Sequence, residues 1–128
     1  MKSMEMQLSL PMSAEVEKIE NAARLIEKDV KCHHSIAALS RKVLMNKSQL
    51  KSRFRELYGV GPYTYLQQQR LERSKMLLLA GESVQCVALT VGFCGKQSAT
   101  NFVRFFKRKM RLSPDAWRKL QGNCPQNG

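Results

Sequence analysis

A chain of 128 residues with a formal net charge of +12 is long enough for one or two small domains with modest cores. Its 43% of hydrophobic residues favours a folded chain over a disordered one, and its basic excess favours nucleic acid or an anionic membrane surface as partner. The start of the chain does not resemble a signal peptide, and no apolar run approaches the ~20 residues that span a bilayer.

The first half of the chain predicts a flexible segment followed by three helices. Residues 1–14 have no helical periodicity and are predicted to be a flexible lead-in. From about Glu15 to Asp29 the apolar residues recur at helical spacing, which predicts a helix with one buried side. Ser35 is a suitable N-cap for a short second helix, and Asn46 for a third helix from about Lys47 to Tyr58.

The second half predicts a long helix followed by another short–long pair. A turn rich in glycine ends the third helix, and Pro62 starts a fourth that runs to about Ala80. Ser83 is the expected cap of a fifth helix, and a sixth is predicted from about Gln97 to Met110. Ser113 and the proline after it start a last short helix, and the polar tail 122–128 is predicted to be disordered.

The predicted fold is all-α, with seven helices and no strand-like alternation anywhere. Residues 35–58 and 83–110 share one organisation, a short helix, a turn and a longer basic helix, so we predict two helix-turn-helix subdomains, over 15–61 and 81–121. The linker helix over 62–80 would be about 28 Å long. This is comparable with one turn of DNA, about 34 Å, so the two longer helices are spaced to read successive major-groove faces.

The two longer helices each have a polar side opposite an apolar stripe. In a helix-turn-helix the second helix enters the major groove and reads bases with its N-terminal half. Lys, Arg, Asn, Gln and Ser side chains donate hydrogen bonds to base edges and phosphates. The placement of these side chains opposite a buried stripe favours DNA binding over a helical bundle whose basic side chains are merely solvated. The polar side holds Ser48, Lys51, Ser52 and Arg55 in the third helix, and Gln97, Asn101, Arg104 and Arg108 in the sixth.

Several motifs occur in a characteristic order along the chain. They are SIAALS at 35–40 with NKSQLKSRF at 46–54, then GPYTYL at 61–66, then VAL and VGF at 87–93, and finally NFVRFFK and LSP at 101–114. Over about residues 15–120 this order resembles the DNA-binding domain of the AraC family of transcription regulators. Three positions depart from the family pattern. Ser40 stands where Ala is usual, Leu44 where the first turn often has Gly, and the Cys94–Thr100 connection is longer than usual.

The resemblance implies a transcription regulator, such as an activator, that inserts both recognition helices into adjacent major grooves of promoter DNA. It implies double-stranded promoter DNA and RNA polymerase as partners, no cofactor and a cytoplasmic location at the bacterial nucleoid. Together with the polar faces it predicts that bases are read by Ser48, Lys51, Ser52, Gln97, Thr100, Asn101 and Arg104. Flanking cations predicted to contact phosphates are Lys47, Arg55, Lys96, Lys107 and Arg108.

Other classes of protein fit the sequence less well. An RNA reader usually exposes aromatic rings, whereas the aromatic residues here fall in apolar stripes, and the same stripes leave no apolar face for a membrane. The Cys32-His33-His34 cluster lacks an acidic residue at ligand spacing, so we expect neither a metal site nor an enzyme. Free thiols are expected, with Cys86 in the core. The sensing or dimerisation domain usual in the family is absent here, so a standalone regulator and part of a larger one both remain open.

Overall fold

The computed structural model describes the backbone of residues 2–122 and the side chains of residues 14–122. Within this part the secondary structure is seven α-helices without a strand, which confirms the all-α prediction. None of the described helices is long and apolar enough to cross a membrane. The helices are α1 Lys2–Lys28, α2 Ile36–Val43, α3 Lys47–Tyr58, α4 Pro62–Leu79, α5 Val84–Thr90, α6 Ser98–Met110 and α7 Pro114–Gly122.

The largest difference from the sequence-based expectation lies at the start of the chain. Helical backbone begins at Lys2, whereas a flexible lead-in was expected over residues 1–14 and a helix only from Glu15. Met, Gln, Leu, Lys and Glu dominate this segment, and these residues favour helix even where they form no regular apolar stripe. At the other end, α7 includes Gly122, and the predicted disordered tail beyond it lies outside the described residues.

The chain divides into two compact units, Met1–Gln67 and Gln68–Gly128, so that the boundary falls within α4. In the first unit α1, α2 and α3 pack on one another. Their shared core includes Ile19, Ile26, Leu39, Leu50 and Phe54, none of which is more than 1% exposed. The helical periodicity of these apolar residues therefore predicted correctly which side of each helix is buried.

Local hydrogen bonds fix the starts of α2 and α3, and a left-handed residue makes the turn between them. Ser35 Oγ accepts the amide of Ala38 at 3.1 Å at the start of α2, and Asn46 Oδ1 accepts the amide of Gln49 at 2.8 Å at the start of α3. Both contacts satisfy helix amides that have no partner within the helix. Between the two helices Leu44 adopts the left-handed conformation, with φ 60°, and its side chain is 78% exposed.

Replacing Leu44 by glycine should stabilise the protein by about 0.5–1 kcal/mol, because a residue with a Cβ atom is strained at this φ and glycine is not. The exposed side chain contributes little burial, and the Leu44 carbonyl that accepts Lys18 Nζ at 3.1 Å is retained. The midpoint of urea unfolding should rise at an unchanged m value. Leu44→Ala is the control, since it truncates the side chain without relieving φ. Equal midpoints for the two variants would contradict this interpretation.

In the second unit α6 packs against α5 and α7 around a cluster of aromatic rings. The Phe106 ring centroid lies 5.8 Å from that of Phe102 and 5.7 Å from that of Trp117, and both phenylalanines are fully buried. Arg118 of α7 donates to the carbonyl oxygens of Glu82, at 2.6 Å, and Leu78, at 3.3 Å. These bonds satisfy carbonyl groups at and just after the end of α4, so α7 fixes the turn that leads into α5.

Candidate nucleic-acid interface

All seven side chains predicted to read bases are exposed, as are the five cations predicted to contact phosphates. In α3 the exposed residues Ser48, Lys51 and Ser52 alternate with Leu50 and Phe54, which are completely buried. One side of α3 is therefore anchored in the core while the other presents hydroxyl and ammonium groups to solvent. Exposure is a requirement for reading DNA, and the reading roles themselves stay predictions.

The cationic residues of α3 differ in whether their charge is compensated. Arg53 Nε lies 3.0 Å from Glu15 Oε1, and Arg53 Nη1 lies 3.0 Å from Glu56 Oε1. The hydrogen bond that it donates to Glu56 and the negative charges of Glu15 and Glu56 raise the pKa of this guanidinium above its ordinary value. In contrast, Lys51 and Arg55 form no ion pair with any residue from 14 to 122. Lys51 and Arg55, which have no ion-pair partner in this part of the chain, are therefore the cations that share the exposed side of α3 with the hydroxyl groups of the two serines.

A groove of about 590 Å³ runs between this face of α3 and the first turn of α4, and we call it the α3–α4 groove. Two cations and four hydroxyl-bearing residues line it, and none of its lining residues is acidic. Tyr63 and Thr64 form the α4 side of the groove, and neither was among the site residues predicted from the sequence. Their position directly after the turn that follows the recognition helix was the available signal. The polar lining residues are Ser48, Lys51, Ser52, Arg55, Tyr63 and Thr64.

Two tyrosines hold the start of α4 and the end of α3 close to α1. The Tyr65 hydroxyl donates a hydrogen bond to Glu27, and the Tyr65 ring lies 5.3 Å from Phe54 and 5.0 Å from Tyr58, centroid to centroid. Burial, and then the Glu27 hydrogen bond, raise the pKa of the Tyr65 hydroxyl. Burial, and then the charge of Glu20, raise the pKa of Tyr58. Both hydroxyls are consequently neutral at physiological pH.

The start of α6 is fixed by a contact with α5. Ser98 is buried, and its Oγ accepts a hydrogen bond from Gln85 Nε2 at 3.1 Å. The helix begins at Ser98, so Gln97 stands at its N-cap position, where its side chain makes no capping bond. The connection before it contains Gly92 at φ 112° and Gly95 at φ 89°, conformations that favour glycine and allow the long connection to turn tightly.

The exposed side of α6 carries uncompensated charge. Arg104, Lys107 and Arg108 make no ion pair within the described part of the chain. Arg104 lies one turn after Asn101 on the exposed side, and the aromatic residues Phe102 and Phe106 occupy the opposite, buried side. The arrangement provides hydrogen-bond donors near the helix start and positive charge further along, which suits base edges followed by phosphates.

The thiols and histidines differ in part from the sequence-based expectations. Cys86 is exposed, with its Sγ 3.3 Å from Glu82 Oε1, so the prediction that it lies in the core is wrong. In the Cys32-His33-His34 cluster, His34 Nε2 lies 2.7 Å from the carbonyl oxygen of Asp29 in the same turn. Among the described residues there is no group of three or more His, Cys, Asp or Glu residues that could hold a metal ion.

Known proteins share both sequence and fold with this chain. The helix-turn-helix domain family model matches residues 39–120. The chain is 39% identical over 79 residues to the HTH-type transcriptional regulator MtrA of Neisseria gonorrhoeae. It is 34% identical over 85 residues to an uncharacterized HTH-type transcriptional regulator of Staphylococcus aureus (strain COL). These matches cover 61% and 66% of this chain but only 25% and 11% of the two regulators, so the chain spans a quarter or less of their length.

Solved structures of other transcription regulators share the fold of this chain. A transcriptional regulator of the AraC-type DNA-binding-domain group from Chromobacterium violaceum superposes with a TM-score of 0.74 at 23% identity, covering 88% of this chain and 98% of that one. The DNA-binding domain of the transcription factor AdpA, solved with a target DNA, gives a TM-score of 0.69 at 25% identity, covering 89% and 97%. The fold is that of a DNA-binding domain with two helix-turn-helix units. The chain belongs to the AraC-type helix-turn-helix family.

Proposed function

We propose that this chain binds a specific site in double-stranded promoter DNA and regulates transcription, with α3 and α6 inserted into adjacent major grooves. The observation that carries the proposal is the pair of exposed helix faces. Each face combines uncompensated cations with hydrogen-bonding side chains on a helix whose other side is buried. Membership of the AraC-type family supports the same conclusion, because that helix placement defines helix-turn-helix recognition.

Within this interface we assign base reading to side chains between the start and the middle of the two helices, and phosphate contacts to the flanking cations. Base edges require directional donors and acceptors, whereas phosphates require charge. The proposed base-reading residues are Ser48, Lys51 and Ser52 for α3, and Gln97, Thr100, Asn101 and Arg104 for α6. The proposed phosphate contacts are Lys47, Arg55, Lys96, Lys107 and Arg108.

The proposed role in the cell is that of a transcription regulator, such as an activator, which acts with RNA polymerase at bacterial promoters in the cytoplasm. The related Neisseria protein is named as a transcriptional regulator, and the AdpA domain was solved on a target DNA. Both descriptions favour a regulator over a protein that binds DNA without sequence preference.

Selection of bound duplexes from a random pool should enrich an asymmetric site with two short conserved boxes, about one helical turn or 10 base pairs apart. Placed near a promoter, the selected site should change transcript yield in vitro, and a scrambled site should not. Arg53→Gln is a suitable control, because this compensated cation should not affect which boxes are selected. A pool without an enriched motif would contradict sequence-specific binding, and a single enriched box would contradict the use of both helices.

A further inference from the structure

The α3–α4 groove continues the exposed face of α3 on to the first turn of α4. Ser48, Lys51 and Ser52 belong to both surfaces, so a ligand in the groove also lies beside the side chains proposed to read bases. We propose that the groove holds a phosphodiester of the DNA backbone next to the bases read by α3, with Tyr63 as a hydrogen-bond donor. This inference rests on the proposed function and extends the DNA contact to α4.

The charge of the groove fits a phosphate. Lys51 and Arg55 line it and have no ion-pair partner among residues 14–122, although a third cation of the same helix, Arg53, is held by two carboxylates elsewhere. Protein side chains around a bound phosphodiester are typically cations together with hydroxyl donors. The groove supplies both kinds of group and no acidic side chain to repel the phosphate.

The hydrogen bonding of Tyr63 leaves its own proton free. The Tyr63 hydroxyl oxygen accepts a hydrogen bond from Gln67 Nε2 at 2.7 Å, so the hydroxyl proton remains available for an acceptor in the groove. Gln67 also orients the phenol, one turn further along α4. Tyr63 is 62% exposed as a residue, which is high for a large aromatic residue and leaves its ring accessible to pack on a deoxyribose.

The phosphodiester is favoured over a free anion because the groove is open along the α3 face. Its donors come from two helices and are spread over a volume of about 590 Å³, which exceeds the space that a single small anion fills. A DNA strand that crosses the groove places one phosphate near Arg55 and Tyr63 and leaves its neighbours in solvent. The contact therefore adds affinity for any DNA sequence and sets the register of α3 in the major groove.

Tyr63→Phe tests the inference, because it removes only the hydroxyl group. Binding to the selected duplex and to a scrambled duplex should both weaken by about five-fold, the value of one neutral hydrogen bond. The salt dependence should not change, since a neutral hydroxyl displaces no counterion. Arg55→Gln should instead reduce the salt slope by about one unit. Two matched controls accompany these variants. Tyr58→Phe also removes one tyrosine hydroxyl and should leave the affinity unchanged. Arg53→Gln also removes one guanidinium from α3 and should leave the salt slope unchanged.

Duplexes with single neutral methylphosphonates locate the contact. One substituted position beside the α3 box should weaken Tyr63→Phe less than it weakens the unmodified protein, because the variant already lacks the hydrogen bond and loses only the contact of the phosphate charge with Arg55. Inorganic phosphate at constant ionic strength should not release the DNA. Equal affinities for Tyr63→Phe and Tyr58→Phe, or release of DNA by inorganic phosphate, would overturn the inference alone. Equal binding of the unmodified chain to selected and scrambled duplexes would instead overturn the proposed function.

Discussion

Phe106→Ala should lower the free energy of unfolding of the second unit by about 3–5 kcal/mol, the usual cost of removing a buried phenylalanine ring. The ring is fully buried in α6, and its centroid lies within 6 Å of the rings of Phe102 and Trp117. Truncation leaves a cavity that these two rigid rings cannot fill by small movements. A loss of this size is a large share of the stability of a small domain, and chemical denaturation followed by circular dichroism measures it.

A matched exposed position in the same helix controls this experiment. Lys107→Ala changes the next residue, which is exposed and has no ion pair in the described part of the chain, so its effect should be within about 0.5 kcal/mol. Because the chain has two compact units, the transition has to be fitted with allowance for separate unfolding of each. An unchanged midpoint for Phe106→Ala would mean that α6 presents its other side to the core.

Local sequence signals explain why most of the fold could be predicted. The caps Ser35, Asn46 and Ser83 accept hydrogen bonds from amides three residues later, so the residues that define each helix start are neighbours in the sequence. The apolar residues of α3 and α6 recur at helical spacing, and that spacing alone determines which side faces the core. The exposed positions of the candidate interface follow from the same periodicity.

Predictions failed where the position of a residue relative to the core decided its environment. Cys86 precedes the buried Val87 by one residue, which rotates it by about 100° on a helix, and α5 has only seven residues to cover one side of the core. Leu57 follows the apolar spacing of α3 but is 44% exposed, because it lies near the end of the helix. Spacing gives the direction of a side chain and not the extent of the core in that direction.

The charge pattern of the candidate interface needed the tertiary structure. Composition shows 22 cationic residues, and α3 alone carries several of them on different sides. Only the folded chain brings Glu15 of α1 against Arg53, and it is this pairing that separates the compensated cation from Lys51 and Arg55. In the same way, the approach of Tyr63 to the α3 face depends on the turn between α3 and α4. These contacts join residues that no helical spacing relates.

Arg104 and Arg108 should differ in what they contribute to DNA binding, because they lie one turn apart on α6. Arg104 stands at the midpoint of the helix, one turn after Asn101 and nearer the helix start than Arg108, where a guanidinium in the groove can bond both O6 and N7 of guanine. Arg104→Ala should therefore cost ~1–3 kcal/mol on the selected duplex, and much less on a scrambled duplex. The sequence preference should be lost at one or two base pairs, which repeated selection with the variant measures.

Arg108→Ala is the matched control for this substitution, since it removes the same group from an equally exposed site with no ion pair among the described residues. Its position nearer the end of α6 places it where the helix leaves the groove and meets phosphate. It should weaken binding to selected and scrambled duplexes alike and reduce the salt slope by about one unit. Fluorescence anisotropy of both variants on both duplexes across a salt series distinguishes the two roles. If Arg104→Ala instead weakens both duplexes equally, Arg104 contacts phosphate, and the bases are read by Gln97, Thr100 and Asn101 without it.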